Sequence, residues 1–372
     1  MRGNMDPQSE MFCLISPESR VPRDHPLRRI KVLVDAVLRD LSPLFDQMYA
    51  KDGRPSIPPE RLLKAKMLQA LYSIRSEKLL IEALEYNLLF RWFLDFNLMD
   101  AVWDNSTFTK NQERLLRHQA AELFFARIVA LAREHGWVSD AHFTVDGTLI
   151  DAWASLKSFQ PISRPKDPTD GDSGNPTVDF HGQKRSNATH QSTTDNQAQL
   201  ARKGRGKEAR LCFGLHALME NRSGLCVQAE IITAHGSTES RVATELLGRQ
   251  IDQAERAPRS VGADKGYHSR ETVGFCREQG IQPHIAEVQG RRVAGLDRRT
   301  TRCSGYQTSQ RLRKRIEEIF GWAKEIGGLR RTRKRGVARV GLSARLILCA
   351  YNLLRMGKLM GSPPGLAAQA TA

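Results

Sequence analysis

Residues 142–150 read HFTVDGTLI, a β-branched and apolar run broken by one acid, Asp146. Such a composition marks a strand with little contact with water. The run also divides the chain. Before it, apolar residues recur at helical spacing; after it, short strands and helices alternate. A carboxylate inside a strand loses solvation unless a cation, a hydrogen bond or a metal ion compensates it. Asp146 is therefore either a buried acid paired with an arginine or part of a site.

Upstream, Leu27, Ile30, Val32, Leu33, Val37 and Leu38 repeat at near-helical spacing. Ser56 before Pro58 and Pro59 reads as a helix start. Ser76 reads as the N-cap of a helix over 77–87, and Asn105 or Ser106 as the cap of another. No strand pattern interrupts this region. The sequence predicts an all-α domain over 25–137, after a loose extension at 1–24 that holds Pro7, Pro17 and Pro22.

Downstream, residues 157–207 turn polar, with a Pro/Asp/Gly-rich stretch at 167–176, and read as a loop-like insertion. Strands at 210–220 and 225–234 flank Asn221-Arg222-Ser223-Gly224, a hairpin signal. A helix over about 238–255 leads to a strand, SVGAD, that stops at Asp264. Another helix (269–279), a strand (282–287) and two long helices (308–326 and 337–356) close the pattern. This order predicts an α/β core over 138–356, a mixed sheet flanked by helices, with a flexible tail at 357–372.

The chain of 372 residues carries 57 Lys+Arg against 41 Asp+Glu, a formal charge of +16, with a pI near 9.9. That excess points to a polyanion, with nucleic acid favoured over a merely basic surface. The six cysteines, Cys13, Cys212, Cys226, Cys276, Cys303 and Cys349, are scattered and form no C-x-x-C. They make neither a disulfide framework nor a zinc site, and reduced thiols fit a cytosolic protein. The first thirty residues show no secretory signal. The apolar stretch Leu346 to Leu354 falls short of the roughly 20 residues that span a bilayer, so no membrane role is expected. Gly204-Arg205-Gly206-Lys207 lacks the spacing and the following Ser/Thr of a phosphate loop, which argues against an ATPase.

Two further acids join Asp146. Asp264 ends a strand and leads into Lys265-Gly266-Tyr267-His268, a common way to set a ligand at a sheet rim; alone it reads equally well as a turn or cap residue. Glu317 lies on the helix LRKRIEEIFGWAK, residues 312–324. At roughly 100° per residue, Leu312, Ile316, Ile319, Phe320 and Ala323 form one apolar stripe. Glu317 borders it, with Arg313 and Lys324 at nearly the same angle, while Glu318 points away. The plain alternative is an Arg–Glu pair on a surface helix. Three carboxylates of this kind suit a hard divalent ion, which prefers oxygen ligands and leaves positions open for phosphate. Two such ions can serve the attacking and leaving oxygens of a displacement, with Arg313 and Lys324 on flanking phosphates.

The segments VDGTLIDA, ADKGYHS and R-x3-E-x6-K resemble the catalytic segments of bacterial DDE transposases, in the insertion-sequence-five group. The resemblance covers nearly the whole chain, including the helical region with its DNST stretch at 104–107. It implies an RNase H-like core, a DDE triad at Asp146, Asp264 and Glu317, and Mg²⁺ as the ion, with Mn²⁺ as a substitute. It implies DNA partners, both terminal inverted repeats and target DNA, and a homodimer or larger assembly on them. It also implies a cytoplasmic, nucleoid-associated location. Relatives carry Tyr three residues before the Arg; this chain has Gln310 there. Between Asp264 and Glu317 there is room for a helix, a strand and a basic loop, but not for the large β insertion of some relatives.

The run Arg330, Arg331, Thr332, Arg333, Lys334, Arg335 follows the third segment and is read as a grip on the DNA backbone. The helical domain is expected to bind the terminal repeats or to serve dimerisation, with Arg75, Lys78 and Arg91 as candidates for DNA contact. His268, beside Tyr267, reads as structural. Two rival readings remain at this point: a catalytically silent DNA-binding descendant of a transposase, and a nuclease of the same fold without strand transfer.

Overall fold

A computed structural model describes residues 16–49, 56–162, 178–180, 182–203, 206–234 and 238–361. Cys13, the 167–176 stretch and Gly204-Arg205 lie outside these. The N-terminal part is helical: α1 (Pro17–Arg20), α2 (Pro26–Asp46), α3 (Pro59–Leu71), α4 (Glu77–Tyr86), α5 (Leu88–Phe93), α6 (Asn105–Arg117) and α7 (Ala120–Glu134). Helix α1 sits inside the expected extension, where Glu18 ties it to Arg28 and to the Trp92 indole N–H. The α2 core face is Leu27, Ile30, Leu33, Val34, Val37 and Leu38. Val32, expected on that face, is 61% exposed, because two residues past Ile30 is the opposite side of a helix. Ser76 caps α4 as expected. The cap of α6 is Asp104, one residue before the expected position, and its carboxylate accepts from Thr107 N and both neighbouring hydroxyls. Ser56 caps nothing; its hydroxyl donates to Asn111 Oδ1.

The second part contains β1 (His142–Asp151), β2 (Phe159–Pro161), β3 (Val178–Phe180), β4 (Gln183–Arg185), β5 (His190–Ser192), β6 (Gln199–Ala201), β7 (Arg210–Glu220) and β8 (Leu225–Thr233). Then come α8 (Glu239–Ala254), β9 (Ser260–Ala263), α9 (Arg270–Glu278), β10 (Gln282–Ile285), α10 (Arg298–Thr301), α11 (Ser304–Leu312), α12 (Ile316–Glu325) and α13 (Val337–Leu359). The main sheet runs β10-β9-β1-β7, and both β8 and β6 pair with the far edge of β7. Strands β1, β9 and β10 are parallel, whereas β7 is antiparallel to β1. This is the expected mixed sheet with helices on it, in the RNase H-like arrangement. Parallel strands leave a crevice beyond their carboxyl ends, where ligands bind; β9 ends there, and its pairing with β1 stops at Thr144↔Gly262.

Two local readings change. The 157–207 segment, read as a loop, is built of short strands in its described residues: β2 pairs β5, β3 pairs β4, and β6 joins the main sheet. Three-residue strands leave no periodicity to read. Their anchors are polar: Arg185 donates to the Leu156 and Phe159 carbonyls, and Asn187 exchanges two hydrogen bonds with the Leu200 backbone. The single helix expected over 308–326 is α11 and α12, joined by a 3-10 turn at 313–315. Helix α11 lies hard against β9, since a Cβ on Gly262 would come within 2.8 Å of Ser309 Oγ.

Helix α13 is apolar all round and mostly buried, the mark of a core helix. It packs on α2, α3 and α7 on one side and on β8 and α12 on the other, joining the two parts. By length and composition it could cross a bilayer, but 67% of its apolar window is buried inside the protein. Its central Asn352 is paired, accepting from Cys226 N and donating to Cys226 O. It continues to Leu359, into the expected tail.

Candidate active site

Asp146 lies mid-strand on β1 opposite Ala217 of β7. The β1–β9 pairing ends at Thr144↔Gly262, so Asp146 and Asp264 each stand two residues past the last paired couple on adjacent parallel strands. Asp264 is held by the turn after β9, where its Oδ1 accepts from Gly266 N at 2.8 Å. Gly147 N–H donates to Asp146 Oδ1, also at 2.8 Å. Burial, with the charges of Asp264 and Glu317, pushes the Asp146 pKa up to about 6, against the opposing Gly147 hydrogen bond and the Arg313 charge.

Glu317 is the second residue of α12 and is exposed. Its charge acts on Asp146, whereas Glu318 acts on Tyr351 of α13. Both glutamates are exposed, and their charges fall on different neighbours. Lys324 Nζ donates to Thr148 Oγ1 of β1 at 2.7 Å, on the strand face it shares with Asp146. Burial and nearby Lys203 lower its ammonium pKa. Arg313 Nε donates to Gln310 Oε1, and Gln310 Nε2 donates to the His284 carbonyl of β10. Gln310 therefore braces the arginine against the sheet.

Three residues at the rim escaped the sequence reading. Glu239, the first residue of α8, is exposed as a residue, but its carboxyl end is crowded. Desolvation there, with the charges of Asp264 and Asp146, pushes its pKa up to about 7. Tyr267 is 1% exposed, and burial and the three acids raise its pKa. Its hydroxyl meets His216 Nδ1 at 3.4 Å, and burial takes the His216 pKa down to about 4, which keeps the ring neutral. Nothing in the periodicity marks these positions, since each enters from a different element. His268 is buried, and its Nδ1 accepts from Val288 N, a structural role as expected.

The basic run extends the sheet rim. Thr332 N donates to Asp151 O and Asp151 N to Arg330 O, so residues 330–332 pair with the end of β1. Arg331 lies over the exposed Trp153 ring, Arg330 pairs with Glu325, and Arg335 is exposed. Arg333 and Lys334 turn to the helical domain instead, Arg333 donating to Arg75 O and Lys334 to Glu77. Arg75 and Lys78 are exposed. Arg91, read as a DNA candidate, is 2% exposed and donates to the Leu84, Asn97 and Asp100 carbonyls; it anchors a loop and cannot reach DNA.

Whether this rim suits a divalent ion turns on its donors. Among the described residues, Asp146, Asp264, Glu317 and Glu239 form no ion pair. Their negative charges act on one another, and carboxylate oxygens are the donors that Mg²⁺ prefers. No three His, Cys, Asp or Glu side chains among the described residues close on a single point. The donor chemistry fits a hard cation that keeps water or phosphate oxygens as its other ligands.

The sheet order defines an RNase H-like core. Residues 181–353 match the Transposase DDE domain family, and residues 15–114 match the Transposase domain (DUF772) family. The chain thus carries a Transposase DDE domain preceded by a Transposase domain (DUF772). No curated protein matches the sequence. Among solved structures, it is similar to a piggyBac transposase synaptic complex with hairpin DNA, at 8% identity and TM-score 0.42, covering 91% of this chain and 76% of that one. A pre-cleavage Mos1 transpososome aligns at 13% identity and TM-score 0.21, covering 83% of this chain and 82% of that one.

Proposed function

We propose that this chain is the transposase of an insertion sequence of the insertion-sequence-five group, from a bacterial cell, acting in the cytoplasm on the nucleoid. The observation that carries this reading is the level placement of Asp146 and Asp264 at the rim, with Glu317 acting on Asp146 from α12. Asp146, Asp264 and Glu317 would hold Mg²⁺, or Mn²⁺ in its place. The bound ion supplies Lewis-acid stabilisation of charge on the phosphate oxygens.

The chain's own residues then position the reaction. Arg313, braced by Gln310, and Lys324, braced by Thr148, hold phosphates on either side of the acids. The exposed Arg331 and Arg335 extend this contact along the DNA backbone, with Arg330 beside them. In the first step water attacks the phosphodiester at the element end, breaking the P–O3′ bond and leaving a 3′-OH. In the second, that 3′-OH attacks a target phosphodiester, one ester bond forming as another breaks. The helical domain would bind the terminal inverted repeats, and joining two ends requires a dimer or larger assembly on DNA.

The test is cleavage of a labelled duplex carrying the element's own terminal repeat, with Mg²⁺ or Mn²⁺, by wild type and Asp146→Asn. Cleavage at the repeat boundary that disappears in the variant supports the reading. Joined products then separate a transposase from a nuclease. Salt-sensitive binding with no cleavage by wild type would point to a silent DNA-binding protein.

A further inference from the structure

Glu239 has an ordinary explanation. Acids favour the first turn of a helix, where they complement the dipole and accept from free backbone N–H groups. That explanation predicts a carboxylate turned back onto its own helix. Among the described residues Glu239 accepts no hydrogen bond, and α8 has no side-chain cap. Its carboxylate faces the turn after β9 instead. A Cβ built on Gly266 would lie 2.3 Å from Glu239 Oε2 and 3.0 Å from Asp264 Oδ1. The two oxygens therefore flank one bare Cα and stand no more than about 5.3 Å apart, the sum of those distances. Oxygens that share one Mg²⁺ at about 2.1 Å each are at most about 4.2 Å apart. A small rotamer adjustment closes the difference, and any side chain at position 266 would fill the gap.

We propose that Glu239 is a fourth carboxylate of the divalent-ion site, sharing with Asp264 the ion on the β9 side; this rests on the DDE reading above. Two carboxylates this close repel unless a proton or a cation lies between them, and no ion pair among the described residues brings a cation to either. The helix α8 then has a task beyond packing on the sheet: it brings an acid to the turn after β9, beside Asp264. The chemistry of such a set is recognition of a hard, oxygen-seeking divalent cation.

The experiment is Mn²⁺ binding by calorimetry to the full chain, comparing wild type with Glu239→Gln, Asp264→Asn and Glu245→Gln. Glu245 is on the same helix and pairs with Arg241. Glu239→Gln is expected to weaken Mn²⁺ binding tenfold or more and Asp264→Asn at least as much, while Glu245→Gln leaves it unchanged. In thermal unfolding, metal-free Glu239→Gln should be no less stable than wild type, and its gain on adding Mn²⁺ should shrink. Weakened binding by Asp264→Asn with wild-type binding by Glu239→Gln overturns the proposal and leaves the DDE site standing. Wild-type binding by both overturns the site along with the proposal. Should Glu239→Gln fail to fold, Glu239→Asp decides: it withdraws the charge by one methylene and is expected to weaken Mn²⁺ severalfold, and unchanged affinity overturns the role.

Discussion

Asp146 and Asp264 stand level with each other across the seam between β1 and β9, each two residues beyond the last paired couple, Thr144↔Gly262. Adjacent parallel strands lie about 4.8 Å apart while they pair. Past that couple the pairing stops, and both carboxylates lie beyond it. Hydrogen bonding cannot hold the backbone together at this point, and the two charges oppose closing it. The fold thus places like charges side by side, and a divalent cation is the natural counterweight.

This strain is measurable without any substrate. Burial and neighbouring acids disfavour the ionised Asp146, whose pKa rises to about 6. Asp146→Asn should therefore unfold a few °C higher than wild type at pH 7 in the absence of metal. Adding Mg²⁺ should raise the wild-type melting temperature and narrow that gap. A metal-free variant that melts well below wild type would show that Asp146 is held by partners rather than opposed by them.

The two glutamates of α12 make a sharper comparison. Glu317 acts on Asp146, and Glu318 on Tyr351. Glu317→Gln is expected to lower terminal-repeat cleavage by on the order of a thousandfold, and Glu318→Gln by less than about threefold. Single-turnover cleavage at saturating metal is the readout. Equal losses, with both proteins folded, would break the assignment of the third acid.

How far the sequence could be read follows from what each element needed. Asp146 was visible because a lone acid in an apolar strand contradicts its surroundings. Glu317 was set apart from Glu318 by helix angle alone, on a single helix that a 3-10 turn at 313–315 in fact divides. Glu239 was not visible, because an acid in the first turn of a helix is ordinary. Only the bare Gly266 across from it gives it meaning. The strands within 157–207 were hidden for another reason: their stability comes from Arg185 and Asn187 side chains bonded to distant backbone, a tertiary effect without local pattern. Arg91 misled because its charge is satisfied internally by three carbonyls.

Gln310 joins Arg313 to the His284 carbonyl, through bonds of 2.9 and 2.6 Å. It acts through the arginine and is a positioning residue. Gln310→Ala should leave the melting temperature within about 2 °C of wild type, since a half-exposed hydrogen bond is worth only about 1 kcal/mol. The same variant should lower the cleavage rate about tenfold at saturating DNA, with little change in DNA affinity. Gln310→Glu keeps an acceptor for Arg313 Nε and should recover part of the rate. Full activity in Gln310→Ala would mean that Arg313 holds its place unaided.

The basic run divides into outward and inward members. Arg331 and Arg335 are exposed, whereas Lys334 binds Glu77 of α4 at 2.6 Å. Each phosphate contact contributes a slope of about −0.9 to log affinity against log salt. Arg335→Ala should flatten that slope by about one for duplex DNA and leave thermal stability alone. Lys334→Ala should lower the melting temperature and change the slope little. A Lys334→Ala slope as flat as that of Arg335→Ala would move Lys334 onto the DNA.

The Lys334–Glu77 contact also ties the basic run to the helical domain, and pH tests how strongly. Burial opposes a charge on Glu77, but Lys66 and Lys334 outweigh it and hold its pKa at about 2, against an ordinary 4.5. A depressed acid stabilises the fold above its unfolded pKa, and that contribution fades as pH falls from about 4.5 through 2. Wild type should therefore exceed Glu77→Gln in stability by on the order of 2 kcal/mol at pH 7. The margin should shrink steadily below pH 4.5, with Lys66 and Lys334 left unpaired as Glu77 protonates. Chemical denaturation of both proteins between pH 7 and 2.5 measures it. A margin that stays constant over that range would mean that Glu77 holds the domains together by shape and hydrogen bonding alone, with no contribution from its charge.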